Sequence, residues 1–155
     1  MQIADYELRI VDCESLTVYT GRNALDMKAA DGFRMNERVE ALRTRTKKFA
    51  LDVLAFGRTL PGDDQSRDIG RQLTRAATSV GANYRAACRS RSRAEFIARV
   101  GVVLEEADES AFWLEILSEG RVSIGKRVHE LLDEADQLCA IFVASSITAG
   151  GSPKR

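Results

Sequence analysis

The sequence predicts an all-α protein, an antiparallel up-down-up-down four-helix bundle. Three observations predict it. Only two prolines occur, Pro61 and Pro153, and the stretch between them is free of the residue that a helix interior tolerates least. Apolar residues recur at spacings of three and four in four separate stretches, the period of a helix with one buried face. Short breaks rich in Gly, Ser and Asp separate those stretches, as bundle helices joined by short loops require. The 155 residues, 45% hydrophobic and 30% charged, suit one globular domain with a real core.

Residues 1–34 differ in texture from the rest. Tyr6, Leu8 and Ile10, then Leu16 and Val18, alternate in the strand period, and Gly21, Asn23, Asp31 and Gly32 punctuate the remainder of the segment. Three readings stand for this segment: a short hairpin, a disordered or partner-dependent extension, or a leader before a start at Met35. The bundle itself is expected over 35–149.

Its first helix is expected over 36–59. Val39, Leu42, Phe49, Val53, Phe56 and Leu60 form the apolar seam, with Thr46 filling the missing step. Leu60-Pro61-Gly62-Asp63-Asp64 ends it, and Asp64 or Ser66 is placed to cap a second helix over 66–88. The inner stripe of that helix is Ile69, Leu73, Ala76, Val80, Tyr84 and Ala87, flanked by Ala77, Ser79, Gly81 and Ala82. Gly70 and Gly81 each cost about 1 kcal/mol of helix propensity relative to alanine, a cost that close helix packing would offset.

Ser92-Arg93-Ala94-Glu95 matches a capping box, in which Ser92 accepts from the Glu95 amide and Glu95 reaches back to the Ser92 amide. It opens a third helix over 92–119. Phe96, Val100, Val103, Ala107, Ala111, Leu114 and Leu117 form its stripe, widened by Leu104, Phe112 and Trp113. A turn at Arg121–Ser123 comes next, with Ser123 as candidate cap. The fourth helix, over 124–148, carries Val128, Leu131, Ala135, Leu138, Phe142 and Ser145 along its seam. Residues 150–155 read as a flexible tail.

Lys+Arg and Asp+Glu both number 23, yet the zero net charge conceals a polarity along the chain. Residues 35–101 hold 14 basic and 7 acidic side chains, and residues 102–149 hold 3 and 10. A basic helix pair beside an acidic pair points to complementary charge within one chain, between subunits, or on two outer faces. Arg67, Arg71 and Arg75 recur every fourth residue, and Arg85 and Arg89 return to the same face close to four turns later. Arg91, Arg93 and Arg99 extend this stripe, and Arg43, Arg45, Lys47 and Lys48 form a second cluster on the first helix. Such a surface is a candidate for phosphate contact, because counterion release from phosphates supplies most sequence-independent affinity for nucleic acids. Only Tyr84 is interleaved with these arginines, so backbone contact is favoured over base stacking.

No catalytic, metal or cofactor site is expected. The acidic turn Glu105, Glu106, Asp108 and Glu109 lacks the Glu-x-x-His pairs of di-iron bundles, and the single histidine, His129, has Lys126 three residues before it. There is neither a glycine-rich phosphate loop nor a nucleophile beside a base. Cys13, Cys88 and Cys139 are too few and too scattered for a disulfide framework or a zinc site, and read as buried thiols. No apolar run spans a membrane and the first residues lack the pattern of a secretory signal, so a cytoplasmic location is expected.

Arg71-Gln72-Leu73, Arg75-Ala76, Ser79-Val80-Gly81-Ala82-Asn83-Tyr84-Arg85 and Ser92-Arg93-Ala94-Glu95-Phe96 together resemble the bacterial four helix bundle proteins, a family first noticed as reading frames in intervening sequences of the 23S rRNA gene. The resemblance covers residues 36–149. It implies a ring-like homopentamer, and kinship with accessory proteins of diversity-generating retroelements, pentameric bundles that bind a reverse transcriptase and nucleic acid. Many members carry an acidic residue and a glycine soon after the asparagine, where this chain has Arg85-Ala86-Ala87. Ser79 and Asn83 carry over as motif positions whose expected job is a polar contact fixing helix or subunit register. The functional expectation is a non-enzymatic oligomer that contacts RNA, DNA or a nucleic-acid-processing protein through Arg43, Lys47, Lys48, Arg67, Arg71, Arg75, Arg85, Arg89, Arg91 and Arg93. The rival expectation is a protein-binding adaptor whose Arg and Glu stripes serve assembly alone.

Overall fold

The computed structural model describes residues 22–123 and 125–150, with side chains from Glu37 onward. Four helices make up the fold: α1 (Arg22–Gly57), α2 (Asp64–Ala87), α3 (Arg93–Glu119) and α4 (Lys126–Gly150). Among the described residues there is no strand. Each helix packs on two others, α1 and α3 both against α2 and α4, while the backbones of the diagonal pairs α1/α3 and α2/α4 stay apart. The result is a four-helix bundle with one central core.

Contacts fix the direction of three neighbouring pairs. Gly57 of α1 lies beside Thr74 of α2, and Thr46 beside Gly81, so rising numbers on one helix meet falling numbers on the other. Arg45 pairs with Glu134 of α4 and Asp52 with Arg127, again in opposite order. Ser118 of α3 meets His129 of α4, and Arg93 reaches the Ala149 carbonyl.

The core is built from the expected stripes. Thr46, Phe49, Val53 and Phe56 of α1 are buried, as are Ile69, Leu73, Ala76, Val80, Tyr84 and Ala87 of α2. Val100, Val103, Ala107, Ala111, Leu114 and Leu117 of α3 join Val128, Leu131, Ala135, Leu138 and Phe142 of α4. Each large apolar side chain buried this way stabilises the fold by about 1.5–3 kcal/mol. Tyr84 and Phe142 meet with ring centroids 5.5 Å apart, linking α2 to α4 across the interior. The polar members are satisfied locally: Thr46 Oγ1 donates to the Arg43 carbonyl at 3.1 Å, and Ser145 Oγ to the Ile141 carbonyl at 2.8 Å.

Several boundaries differ from the sequence expectation. Helix α1 starts at Arg22, fourteen residues before the expected start at 36, so Asn23, Asp31 and Gly32 lie inside a helix instead of punctuating an extension. Ala24, Leu25, Met27, Lys28, Ala29 and Ala30 are strong helix formers, and the cost of one glycine, about 1 kcal/mol, does not stop them. The strand-like alternation before residue 22, Cys13 and the tail after Gly150 lie outside the described residues. Asp63, not Asp64 or Ser66, caps α2: its carboxylate accepts from the Ser66 amide at 2.9 Å and from the Ser66 hydroxyl at 2.6 Å. Ser123 lies three residues before Lys126 and does not cap α4; its amide donates to the Leu117 carbonyl at 3.0 Å, closing the turn after α3. Phe112 stays 49% exposed instead of widening the α3 stripe, edge-on to Trp113 at 5.1 Å. Cys88 and Cys139 are free thiols but half-buried, and burial holds both above the usual thiol range, Cys139 at about 11. No described helix is long and apolar enough to cross a membrane.

Candidate nucleic-acid interface

Because Ile69, Leu73, Ala76, Val80, Tyr84 and Ala87 turn one side of α2 inward, the helical period carries Arg67, Arg71, Arg75 and Arg85 to the opposite side, and Arg89 follows in the turn after Cys88. All five are exposed. From Arg67 to Arg85 the face spans about 27 Å at ~1.5 Å per residue. The two halves of this face differ in how they are neutralised. Arg67 stands 3.6 Å from Asp64, Arg71 pairs with Asp68, and Arg75 binds Glu109 of α3 at 2.9 Å. Arg85 and Arg89 make no ion pair with any described residue.

The remaining candidates are dispersed. Arg91 is exposed, and its amide donates to Glu95 Oε2 at 2.8 Å. Arg93 is turned toward the end of α4, where its Nε donates to the Ala149 carbonyl. The α1 cluster divides between two seams. Arg43, paired with Glu40, and Lys47 lie toward α2, where the Lys47 amide comes near Gly81. Arg45 and Lys48 line the α4 side with Asp52, Arg127 and Glu134. Arg45 forms a bidentate pair with Glu134, at 2.7 and 2.9 Å, and donates to Gln137 at 2.8 Å. Lys48 holds Asp52 at 2.6 Å, and this hydrogen bond is the main cause that keeps the Asp52 carboxyl below its usual range.

Ser79 and Asn83 follow Arg75 at four-residue intervals, on the flank of α2 that meets α3, and both are half-buried. Neither side chain hydrogen-bonds to another described residue. Ser92 caps α3, accepting from the Glu95 amide at 3.1 Å. Glu95 reaches back one residue further than expected, to the Arg91 amide instead of that of Ser92. That bond, with help from Arg99, holds its carboxyl below the ordinary value. These two positions shape the turn.

On α3, Glu109 takes both Arg75 and the Trp113 indole N–H, the latter at 3.2 Å. Glu106 Oε2 is buried with no hydrogen-bond partner, and desolvation, reinforced by Glu109, raises its carboxyl. No three His, Cys, Asp or Glu residues among those described are grouped to hold a metal ion. His129 Nδ1 donates to the Gly125 carbonyl at 2.9 Å, which leaves Nε2 to face the Ser118 hydroxyl at 3.4 Å. The charge polarity is thus partly absorbed within one chain, by Arg45 with Glu134 and Arg75 with Glu109, while Arg127 with Asp52 pairs the minority charges of the two halves.

One cation was not singled out by periodicity. Arg58 comes directly after the last residue of α1, is exposed and has no ion partner among the described residues, and shares a groove with Arg67, Arg71 and Arg75. Folding α1 back on α2 across the Pro61-Gly62 turn is the signal that would have found it.

Fold and surface define a small all-helical bundle whose prominent polar feature is an arginine face on its second helix. Residues 41–144 match the family model of the 23S rRNA-intervening sequence protein, and the chain belongs to that family. Its fold is similar to that of a protein of unknown function from the S23 ribosomal protein family of Bacteroides thetaiotaomicron, with 24% identity and a TM-score of 0.62 over 67% of this chain and 96% of that one. No curated protein matches the chain.

Proposed function

We propose that this protein is a non-enzymatic homo-oligomer, a pentamer by family resemblance, that binds RNA or DNA through phosphate contacts on the outer face of α2. The observation that carries this reading is the pair Arg85 and Arg89, exposed cations that make no ion pair with any described residue. Arg67, Arg71 and Arg75 extend the face, and their exposed ion pairs are weak enough, about 0–1 kcal/mol each, to exchange for phosphate. Repeated around a ring, the face would present several such tracks to one polyanion.

A second reading, assembly without nucleic acid, is favoured by Arg75 with Glu109 and by the half-buried Ser79 and Asn83, whose side chains hydrogen-bond to no described residue. One experiment separates the two. The protein is expected to retard RNA or DNA at about 50 mM salt and to lose most of that binding by about 200 mM. Joint Arg85→Glu and Arg89→Glu substitution is expected to abolish retardation while the mass by light scattering stays unchanged. Absence of retardation by the unaltered protein at low salt overturns the nucleic-acid reading. Loss of oligomeric mass in the double variant assigns the face to assembly.

A further inference from the structure

A groove of about 700 Å³ opens where the end of α1 meets the first half of α2. The local sequence accounts for it. Gly57 and Gly70 present bare backbone to each side, and Leu60 leans so close to α2 that a Cβ at Gly70 would lie 3.0 Å from its Cδ1. Leu54, Leu60 and Pro61 supply an apolar floor, and Arg58, Arg67, Arg71 and Arg75 form the rim. No described carboxylate lines it. Arg67, Arg71 and Arg75 each keep an exposed ion pair with a carboxylate outside that lining, whereas Arg58 has none among the described residues.

We infer that this groove binds a phosphate monoester carried on an apolar body of nucleotide size. Four arginines line the groove, Arg58 without a described ion partner and the other three in exposed pairs weak enough to exchange, and a dianionic phosphate is the ligand that satisfies several forks at once. The volume lies in the range of small-molecule sites and far exceeds a bare phosphate. The aliphatic floor and guanidinium planes offer contact to a flat ring system, so the body adds affinity that inorganic phosphate lacks. The chemistry is shared by a free nucleotide and by the terminal nucleotide of a chain. Three arginines of the α2 face take part, but binding in the groove does not require backbone binding along that face.

The test titrates the full-length protein calorimetrically with adenosine monophosphate, with inorganic phosphate, and with one oligonucleotide prepared with and without a terminal phosphate. Adenosine monophosphate, or the phosphorylated oligonucleotide over its unphosphorylated form, is expected to bind more tightly than inorganic phosphate; which of them does so names the source. Arg58→Glu, at an exposed site with no described ion partner to lose, is expected to weaken that binding about tenfold or more. Lys126→Glu, the same charge change on α4, is expected to leave it intact. Binding that ignores Arg58→Glu, inorganic phosphate matching adenosine monophosphate, or no response to either nucleotide probe overturns the assignment. If the groove is unresponsive while polynucleotide retardation still depends on Arg85 and Arg89, the groove assignment falls and the backbone reading stands. Nucleotide binding without retardation has the opposite meaning.

Discussion

Arg121 has φ of 57°, in the left-handed region that disfavours side chains, and it is the one described non-glycine residue there. It sits directly after the α3 C-cap Gly120, which is held to glycine by space and not by its φ of −70°: a Cβ there would lie 2.6 Å from the Ile116 carbonyl oxygen. Arg121→Gly should raise stability by about 0.5–1 kcal/mol, the left-handed cost less the added freedom of the unfolded chain, read as a higher denaturant midpoint. Glu106 yields a pH prediction. Its carboxyl is raised by desolvation, so the unfolded chain ionises first and stability falls as pH climbs from the ordinary carboxylate value through the raised one. Glu106→Gln should accordingly melt higher than the natural protein near neutral pH and equal to it in acid. A lower melting temperature at neutral pH would mean that the carboxylate has a partner outside its own chain. At this scale the Ser92 cap was legible, because a hydroxyl three residues before Glu95 serves only one local geometry. The Glu95 partner and the orphaned oxygen of Glu106 were not, since both depend on how far neighbouring backbone approaches.

At the level of helices, α1 is joined unequally to its neighbours. Against α2 it packs closely enough that Gly81 faces the Thr46 carbonyl, while against α4 ion pairs bridge a pocket lined by Arg45, Asp52, Arg127 and Glu134. The bidentate Arg45–Glu134 pair is the strongest of these links, partly buried at both ends. A double-mutant cycle with Arg45→Met and Glu134→Gln should give a coupling of about 1–2 kcal/mol, and Arg45→Lys should recover little of it because an ammonium cannot replace the fork. A coupling near zero would mean that the α1–α4 seam is held by its apolar residues alone. The inner stripes of all four helices were legible because period and burial coincide. The start of α1 was not: good helix formers without a clean apolar period in residues 22–34 leave propensity and punctuation in conflict, and propensity prevailed.

For the molecule as a whole, the split of 14 basic and 7 acidic residues in 35–101 against 3 and 10 in 102–149 was legible as soon as the chain was divided by helix pair. Its destination was not, because a linear count does not say which charges meet. Two cross-helix ion pairs, Arg45 with Glu134 and Arg75 with Glu109, consume part of it, and Arg58, Arg85 and Arg89 make no ion pair with any described carboxylate. The arginine face was readable from its four-residue recurrence, whereas the groove at its end needed the turn that folds α1 onto α2. Since α1 adjoins α2 and α3 adjoins α4 around the ring of contacts, opposite charges collect on opposite halves of the bundle, giving it an electric dipole despite zero net charge. In the field of any polyanion such a chain, without net charge, would feel chiefly a torque that turns its α1–α2 half forward, so that orientation would precede contact.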